Sequence, residues 1–504
     1  MNKRHFIESI VSAAVLAFGL SACSGDDDAM TAGDEVRTPE VIYRLSVPAS
    51  FNAEGSAGDH ARNQVFADGT TRAVEFVTDG GKTTCNSIFK EGDDIYPYLS
   101  PESGVYVNNY EYSSLKPTAI SGDKTSATLT GTLKFDGTNV TVNKGDDIRL
   151  FYQTSYDGVA NYLGQTGTQE SVSEKDFSVA NVKVSSVKGD NTNGFTVTTT
   201  QANFENLQSI FRFRIAGLDN GEYIQHLNIH SGGDKLLTRY SLLGKSDDTT
   251  YGDILITPAA NTITNGSDLY AALRFDSDAG TATTPDGSSS GTINFTAIGS
   301  DGKVYEASRT STPANGMYYG TTLTFSKSDK TAFAISGGTV SQSGVYYTLS
   351  QLNSSYTASG YGFGNISFGN TGITLELSGV TLNSGNVAAI TVTNSPTITL
   401  SGINTLEGQG EGITVSSDVT INVNSNDTTN GTSTLTVNSK EGISVSNGST
   451  LTLDAGTLTG TVIVKSKCSF KVKSGATFTG TVKDSDGNAP TKTDSDGYTV
   501  YSAS

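Results

Sequence analysis

Apolar and polar residues alternate along most of the chain from about residue 40 onward. The first run, "VIYRLSV", places Val41, Tyr43, Leu45 and Val47 on one face and Arg44 with its neighbours on the other. A period of two predicts a half-buried β-strand. Later runs such as "TSATLTGTLKF", "VTVNKGDDIRLFYQ" and "FTVTTT" are separated by Gly, Asn and Asp clusters, as in β-sandwiches. Continuous helical periodicity is hard to find after residue 23, so the predicted fold class is all-β.

A second group of strand-like runs begins where the pattern restarts, between residues 200 and 210. It includes "IFRFRIAGL", "LYAALRF" and "GTINFTAIG". We therefore predict one sandwich over residues 41–205 and another over residues 206–326. Residues 327–350 carry a looser pattern and are predicted to form a linker.

The last segment, residues 351–504, repeats itself. The strings "TLELSG", "TITLSG" and "TINVNS" begin at positions 374, 397 and 420, and "EGITVSS" at 411 returns as "EGISVSN" at 441. Such a unit fits one coil of a right-handed parallel β-helix, with stacked strands about 4.8 Å apart. An antiparallel sandwich is the alternative. The inward-facing pairs of the β-helix would be Leu375/Leu377, Ile390/Val392, Ile398/Leu400, Ile413/Val415, Ile421/Val423, Leu435/Val437, Ile443/Val445 and Leu451/Leu453.

The N-terminus has the pattern of an export signal. Two basic residues precede an apolar run from Ile10 to Leu20, which is too short to span a bilayer, so residues 1–22 are predicted to be a signal peptide. The run ends at "LSAC", which resembles the lipobox of bacterial lipoproteins and implies acylation of Cys23. A plain secretory signal with a chance cysteine is the alternative. Residues 23–40 are acidic and predict a flexible tether, whose "SGDDD" resembles the signal for export to the outer face of the outer membrane in Bacteroidales.

Composition excludes several classes of partner and of stabilising bond. The chain has 504 residues and a formal charge of −18, with 33 Lys and Arg against 51 Asp and Glu. Nucleic acid is not expected as a partner, because phosphate contacts require clustered basic residues. With Cys23 lipidated, only Cys85 and Cys468 remain, and they lie in different segments. A disulfide framework is therefore not expected.

The chain offers little catalytic or metal-binding chemistry, so no enzyme activity and no cofactor are predicted. His226 and His230 are four residues apart in "HLNIH", but on a strand this spacing separates them by roughly 13 Å, too far for one metal ion. The string "DSDG" occurs at Asp484–Gly487 and Asp494–Gly497. It predicts hairpin turns rather than calcium loops, because the third acid and the closing glutamate are missing.

Exposed aromatic residues on a flat β surface can stack on sugar rings. The glycine-rich string "SSYTASGYGFGNISFG" holds Tyr356, Tyr361, Phe363 and Phe368. Two interpretations remain open for them. They bind a glycan, or they cap the apolar core at the open end of the β-helix, as terminal coils must be capped. Capping is the favoured interpretation.

The lipobox, the acidic tether, "GTTRAVEF" around Arg72 and "FKEGDDIYPY" together resemble the fimbrillin family of Bacteroidales surface pili. Phe89, Gly92, Asp93 and Ile95 look like that family's F-x-x-G-D-x-I pattern. The resemblance covers about residues 35–326.

The resemblance implies two transthyretin-like β-sandwich domains and export as a lipoprotein. It further implies that a cut after a basic residue near the N-terminus removes the first strand, and that a strand from another fimbrial subunit fills the groove. Arg37 and Arg44 are the candidate cleavage sites on this basis.

The repeats resemble β-helical carbohydrate-binding modules of secreted bacterial proteins. Together with the fimbrillin resemblance they imply a tip or accessory adhesin of a fimbrium on the outer membrane, contacting host or microbial glycans. The alternative is a surface lipoprotein that does not polymerise and binds carbohydrate through its β-helix. "DTT" at Asp248–Thr250 and Asp427–Thr429 resembles an O-glycosylation acceptor pattern.

Overall fold

The computed structural model describes most of the chain from Val41 onward. Within that part, no helix combines the length and the apolar character needed to cross a membrane. The described residues are 41–51, 74–79, 82–100, 114–135, 141–152, 158–231, 236–243, 249–276, 292–310, 315–316, 318–343, 345–385, 387–408, 410–423 and 433–503.

Residues up to Asn206 form eleven strands and a short helix within the described ranges. The elements are β1 (Val41–Phe51), β2 (Val74–Asp79), β3 (Lys82–Ser87), β4 (Ile95–Ser100), β5 (Lys116–Thr118), β6 (Ser126–Phe135), β7 (Asp147–Tyr152), β8 (Val159–Asn161), α1 (Gln169–Ser173), β9 (Ser178–Asp190), β10 (Gly194–Thr199) and β11 (Ala202–Asn206).

The first unit is a mainly antiparallel sheet around one core. Its strand order is β4-β7-β9-β10-β1-β6-β5, with β11 beside β1 and β9, while β2 and β3 pair separately. Side chains from β1 and β6 meet side chains from β4 and β7 in one buried cluster, so the two halves of the sheet enclose the same core. The all-β prediction is confirmed here.

The second unit has two sheets that share a core. Its strands are β12 (Ser209–Ala216), β13 (Ile224–Ser231), β14 (Leu236–Ser241), β15 (Thr250–Tyr251), β16 (Ile254–Ile256), β17 (Asp268–Phe275), β18 (Thr292–Gly299), β19 (Lys303–Thr310), β20 (Tyr318–Thr324) and β21 (Ser326–Thr331). One sheet has the order β15-β14-β17-β12-β20, and the other β16-β13-β18-β19-β21. Phe213 and Phe295, from opposite sheets, contact each other with ring centroids 5.1 Å apart. Strand β8, although earlier in the chain, pairs with β14 of this unit.

The remaining strands form one continuous stack, called the coil stack here. They are β22 (Ala334–Gly337), β23 (Val340–Ser343), β24 (Tyr346–Leu349), β25 (Ser355–Phe363), β26 (Asn365–Phe368), β27 (Thr374–Asn383), β28 (Ile390–Val392), β29 (Thr397–Ser401), β30 (Ile403–Gly408), β31 (Ile413–Val415), β32 (Val419–Val423), β33 (Thr434–Ser439), β34 (Ile443–Val445), β35 (Thr450–Leu453), β36 (Thr457–Val464), β37 (Ser469–Lys473), β38 (Thr477–Lys483), β39 (Thr491–Ser495) and β40 (Tyr498–Ser502).

The register of the coil stack matches the sequence repeat. Strand β27 pairs parallel with β29, with Thr374 opposite Thr397, and β29 pairs parallel with β32, with Thr397 opposite Thr420. These are the three positions at which the repeated strings begin. Parallel pairing excludes the antiparallel sandwich. All predicted inward-facing residues are buried except Val423, which is half-buried.

The ends of the coil stack are closed by antiparallel strands. At the start, residues predicted as a linker form β22, which pairs with β25, and the β23–β24 hairpin. At the other end, β40 lies between β37 and β39. The β39–β40 turn is the second "DSDG" string. Asp496 and Gly497 have φ angles of 50° and 81°, as a two-residue hairpin turn requires, which confirms that predicted turn.

Candidate functional site

The first strand, β1, is held in the middle of the first unit. It pairs antiparallel with β6 from Val41 to Ser50, parallel with β10 from Tyr43 to Ser46, and parallel with β11 from Ala49 to Phe51. Both edges of β1 are therefore hydrogen-bonded along most of its length. Removal of this strand would leave a slot with two unpaired edges.

The inner face of β1 supplies a large part of the first core. Tyr43, Leu45, Val47, Ala49 and Phe51 are all at most 6% exposed, because alternate residues of the strand face the same side. The end of the strand is anchored by rings. The centroid of Phe51 lies 4.4 Å from that of Phe89, 5.5 Å from that of Tyr152 and 5.6 Å from that of Phe204.

The candidate cleavage residues fall at different places relative to β1. Arg44 is exposed in the middle of the strand, and its Nη1 donates to the carbonyl oxygen of Asn193 at 3.0 Å. A cut after Arg44 would leave Leu45–Phe51 paired in the sheet. Arg37, like the lipidation residue Cys23, lies outside the described residues. The same is true of Asp248 and Asp427–Thr429 in the glycosylation strings.

The F-x-x-G-D-x-I residues form the turn that leads into β4. Gly92 has a φ of 92°, and Oδ2 of Asp93 accepts the backbone N–H of Lys90 at 2.7 Å and the hydroxyl of Tyr152. Burial raises the pKa of Asp93, while these hydrogen bonds act in the opposite direction. The turn therefore fixes Phe89 against the end of β1.

A second copy of this turn precedes β7, the strand that pairs with β4. Gly145 has a φ of 101°, and Asp146 Oδ2 accepts the backbone N–H of Asn143 at 2.7 Å, as Asp93 does for Lys90. Sequence reasoning missed this second turn. The repeated string "GDDI" is the signal that could have found it.

The aromatic residues of the first coils are mostly buried. Tyr356, Phe363 and Phe368 are at most 4% exposed, and Tyr361 is half-buried. Tyr356 and Phe368 belong to the apolar core of the coil stack. Phe363 instead packs with Ile298 of the second unit. A sugar ring cannot stack on Tyr356 or Phe368 without opening this core.

The hydroxyl of Tyr356 ties β25 to the closing hairpin. It donates to the carbonyl oxygen of Thr339 and accepts the N–H of Gln351, both at 2.9 Å.

We expect Tyr356→Phe to lower the free energy of unfolding by about 1–3 kcal/mol, because two partly buried groups lose their partner. Urea unfolding measures this loss. Tyr346→Phe, at a half-exposed ring in the same hairpin, should leave the free energy unchanged; equal effects would contradict a capping role for Tyr356.

The second unit contacts the coil stack through an acidic junction. Asp253 accepts hydrogen bonds from Nδ2 of Asn228 at 2.6 Å and from Nδ2 of Asn383, in the coil stack, at 2.9 Å. Nδ1 of His230 lies 2.7 Å from the same carboxylate. Within the described residues, Glu407 beside them has no ion pair, and burial together with the charge of Asp253 raises its pKa. His230 and Lys330 act in the opposite direction.

The raised pKa of Glu407 makes the junction sensitive to pH. The folded state binds the proton of Glu407 more tightly than the unfolded state does, so stability falls as pH rises from 4.5, the ordinary value, through the folded pKa. We expect Glu407→Gln to unfold at a higher temperature than the parent at pH 7, and the two to converge below pH 4.5. The control is Glu441→Gln, at an exposed position. An equal gain from both substitutions would contradict this assignment.

Comparison with known proteins gives partial likenesses only. No family model matches the chain, and no curated protein matches its sequence. A candidate cell adhesion protein from Bacteroides uniformis is 15% identical, with an alignment covering 51% of this chain and 97% of that chain at a TM-score of 0.27. A fimbrial assembly protein from Parabacteroides distasonis is 10% identical, covering 56% of this chain and 90% of that chain at a TM-score of 0.21. These scores are too low to assign a shared fold.

Proposed function

We propose that the protein is a non-enzymatic fimbrial component of the cell surface, at the tip of a fimbrium or accessory to it, which accepts a strand from a neighbouring subunit. The observation that carries the proposal is the central position of β1, a single strand near the N-terminus with hydrogen-bonded neighbours on both edges. A strand in that position can be replaced in trans by β-augmentation. Fimbrillin-like sequence features at the lipobox and in "FKEGDDIYPY" agree with this proposal.

The position of β1 also determines where the chain must be cleaved to release this strand. Release of the whole strand requires cleavage after Phe51 and before Val74, where β2 begins. The chain has two arginines and no lysine in that interval, Arg62 and Arg72. We therefore prefer them to Arg37 and Arg44. A cut after Arg37 would leave β1 attached to the rest of the chain.

A terminal position in the fimbrium fits the other end of the described chain. Strand β40 is already paired on both edges, with β37 and with β39. It is therefore not free to fill the slot of another subunit. A subunit that accepts a strand but donates none from its coil stack would end the polymer and present the coil stack outward.

Antibody labelling of intact cells tests the proposal. Gold-labelled antibody raised against the coil stack is viewed by negative-stain electron microscopy of the producing bacterium. We expect label at the ends of surface fibres. Label along the whole fibre would reject the terminal position. Label on fibre-free membrane alone would reject the fimbrial role in favour of a surface lipoprotein that does not polymerise.

A further inference from the structure

A cleft of about 670 Å³ lies where the second unit meets the first coils. Its size is within the range of about 300–1,000 Å³ found for small-molecule sites. The floor includes Ile298 of β18 and Phe363 of β25, which pack together and are both under 9% exposed. The cleft is therefore built jointly by two units and exists only while they are docked.

The two walls of the cleft differ in chemistry. The wall from the coil stack is aromatic: Phe333 and Tyr347 contact each other with ring centroids 5.2 Å apart and an angle of 63° between the rings. The wall from the second unit is polar and includes His226, Asp301 and Lys303. A ligand that fits between them needs one apolar face and several hydrogen-bonding groups on its other side.

Several polar groups of the cleft have unused hydrogen-bonding capacity. Within the described residues, the hydroxyl of Tyr347 makes no hydrogen bond, and Lys303 makes no ion pair. His226 contacts Thr257 Oγ1 through Nδ1 at 3.4 Å, and its other ring nitrogen has no partner in the described part of the chain. Burial lowers the pKa of His226, so its imidazole is uncharged at neutral pH and can donate or accept a hydrogen bond.

We propose that this cleft is a binding site for a neutral glycan, with a pyranose ring stacked on Tyr347 next to Phe333 and its hydroxyl groups hydrogen-bonded to the opposite wall. A pyranose has one face of C–H groups and an edge of hydroxyls, which matches the two walls. Asp301 and Lys303 contribute opposite charges, so the cleft favours a neutral sugar over an anionic one. The inference goes beyond the proposed fimbrial function and names a class of ligand for the surface that the coil stack would present.

The buried aromatics of the coils and the aromatics of the cleft thus have different roles. Tyr356 and Phe368 lie in the core, whereas Tyr347 and Phe333 are half-buried and border open space. Phe363 is buried against Ile298 of the second unit and also forms part of the floor of the cleft. The stacking residue of the glycan site, Tyr347, therefore lies just before the glycine-rich string, which contributes Phe363 to the floor.

The test uses the intact, uncleaved chain on an array of neutral oligosaccharides, including lactose, maltose, cellobiose and N-acetyllactosamine units. Glycans that bind are then titrated calorimetrically. We expect Tyr347→Ala to weaken binding at least about tenfold. Tyr346→Ala, at the neighbouring exposed ring, should bind like the parent. Tyr347→Phe keeps the ring and should retain most of the binding, and equal melting temperatures for Tyr347→Ala and the parent would show that the loss of binding by Tyr347→Ala is not caused by unfolding.

Two results would overturn the inference. One is that no neutral glycan binds; the other is that the glycans that bind do so equally to the parent and to Tyr347→Ala. Because the uncleaved monomer is used, these results do not depend on fibre assembly. Label at fibre ends without glycan binding would reject the cleft alone, and glycan binding by a protein found on fibre-free membrane would reject the fimbrial role alone.

Discussion

A chain that lacks residues 41–51 should be unable to keep its first unit folded until a strand is supplied. The deletion removes four large buried side chains, those of Tyr43, Leu45, Val47 and Phe51. At about 1.5–3 kcal/mol for each, the loss is on the order of 10 kcal/mol, comparable with the whole stability of a typical domain. The hydrogen bonds of β1 to β6, β10 and β11 are lost as well.

A synthetic peptide with the sequence of residues 41–51 should restore the fold when it is added to the shortened chain. Hydrogen exchange of β6 and β10 measures the rescue, and we expect protection to return in proportion to bound peptide. The matched control is the same peptide with Val47→Asp, which would bury a charge in the core and should not bind. If the shortened chain were as protected as the full chain without peptide, β1 would not be the exchangeable strand.

Substitution of Leu400 by Asp should have the second large effect, confined to the coil stack. Leu400 is fully buried between Leu377 and Val423 of the adjacent coils. A carboxylate there has no partner, and we expect a loss of about 4 kcal/mol or more. Each coil contacts only the coils next to it, so unfolding should pass from the substituted coil to the adjacent coils. The first and second units should stay folded.

Hydrogen exchange followed by mass spectrometry separates these two regions. In Leu400→Asp we expect fast exchange across β27, β29 and β32, and unchanged exchange in β12 and β17. Thr397→Asp is the matched control, since Thr397 lies in the same strand but faces outward between Thr374 and Thr420. Slow exchange throughout the coil stack of Leu400→Asp would contradict the inward assignment of this column.

The coil stack could be predicted from the sequence because its geometry repeats. Parallel stacking places the same strand position at the same inward site in every coil, so the step of 23 residues from Thr374 to Thr397 to Thr420 is also the register. Strand β1 could be predicted for a similar reason. Its alternation separates buried Leu45 from exposed Arg44, although alternation alone does not reveal that β1 has partners on both edges.

The junction and the cleft could not be predicted from local patterns. Asn383 and Asp253 are 130 positions apart and come from different units, and nothing near either residue in the sequence indicates their contact. Tyr347 and Lys303 line one cleft, and nothing near either residue in the sequence indicates this. Strand β8 could not be predicted either, because three residues are too few to show alternation. Its pairing with β14 depends on tertiary packing.

If β1 is removed in the mature protein, the N-terminal mass of the protein recovered from the bacterial surface will show it. We expect a chain that begins just after Arg62 or Arg72, with neither acyl chains nor residues 41–51. A surface protein that still begins at acylated Cys23 and retains β1 would contradict the account.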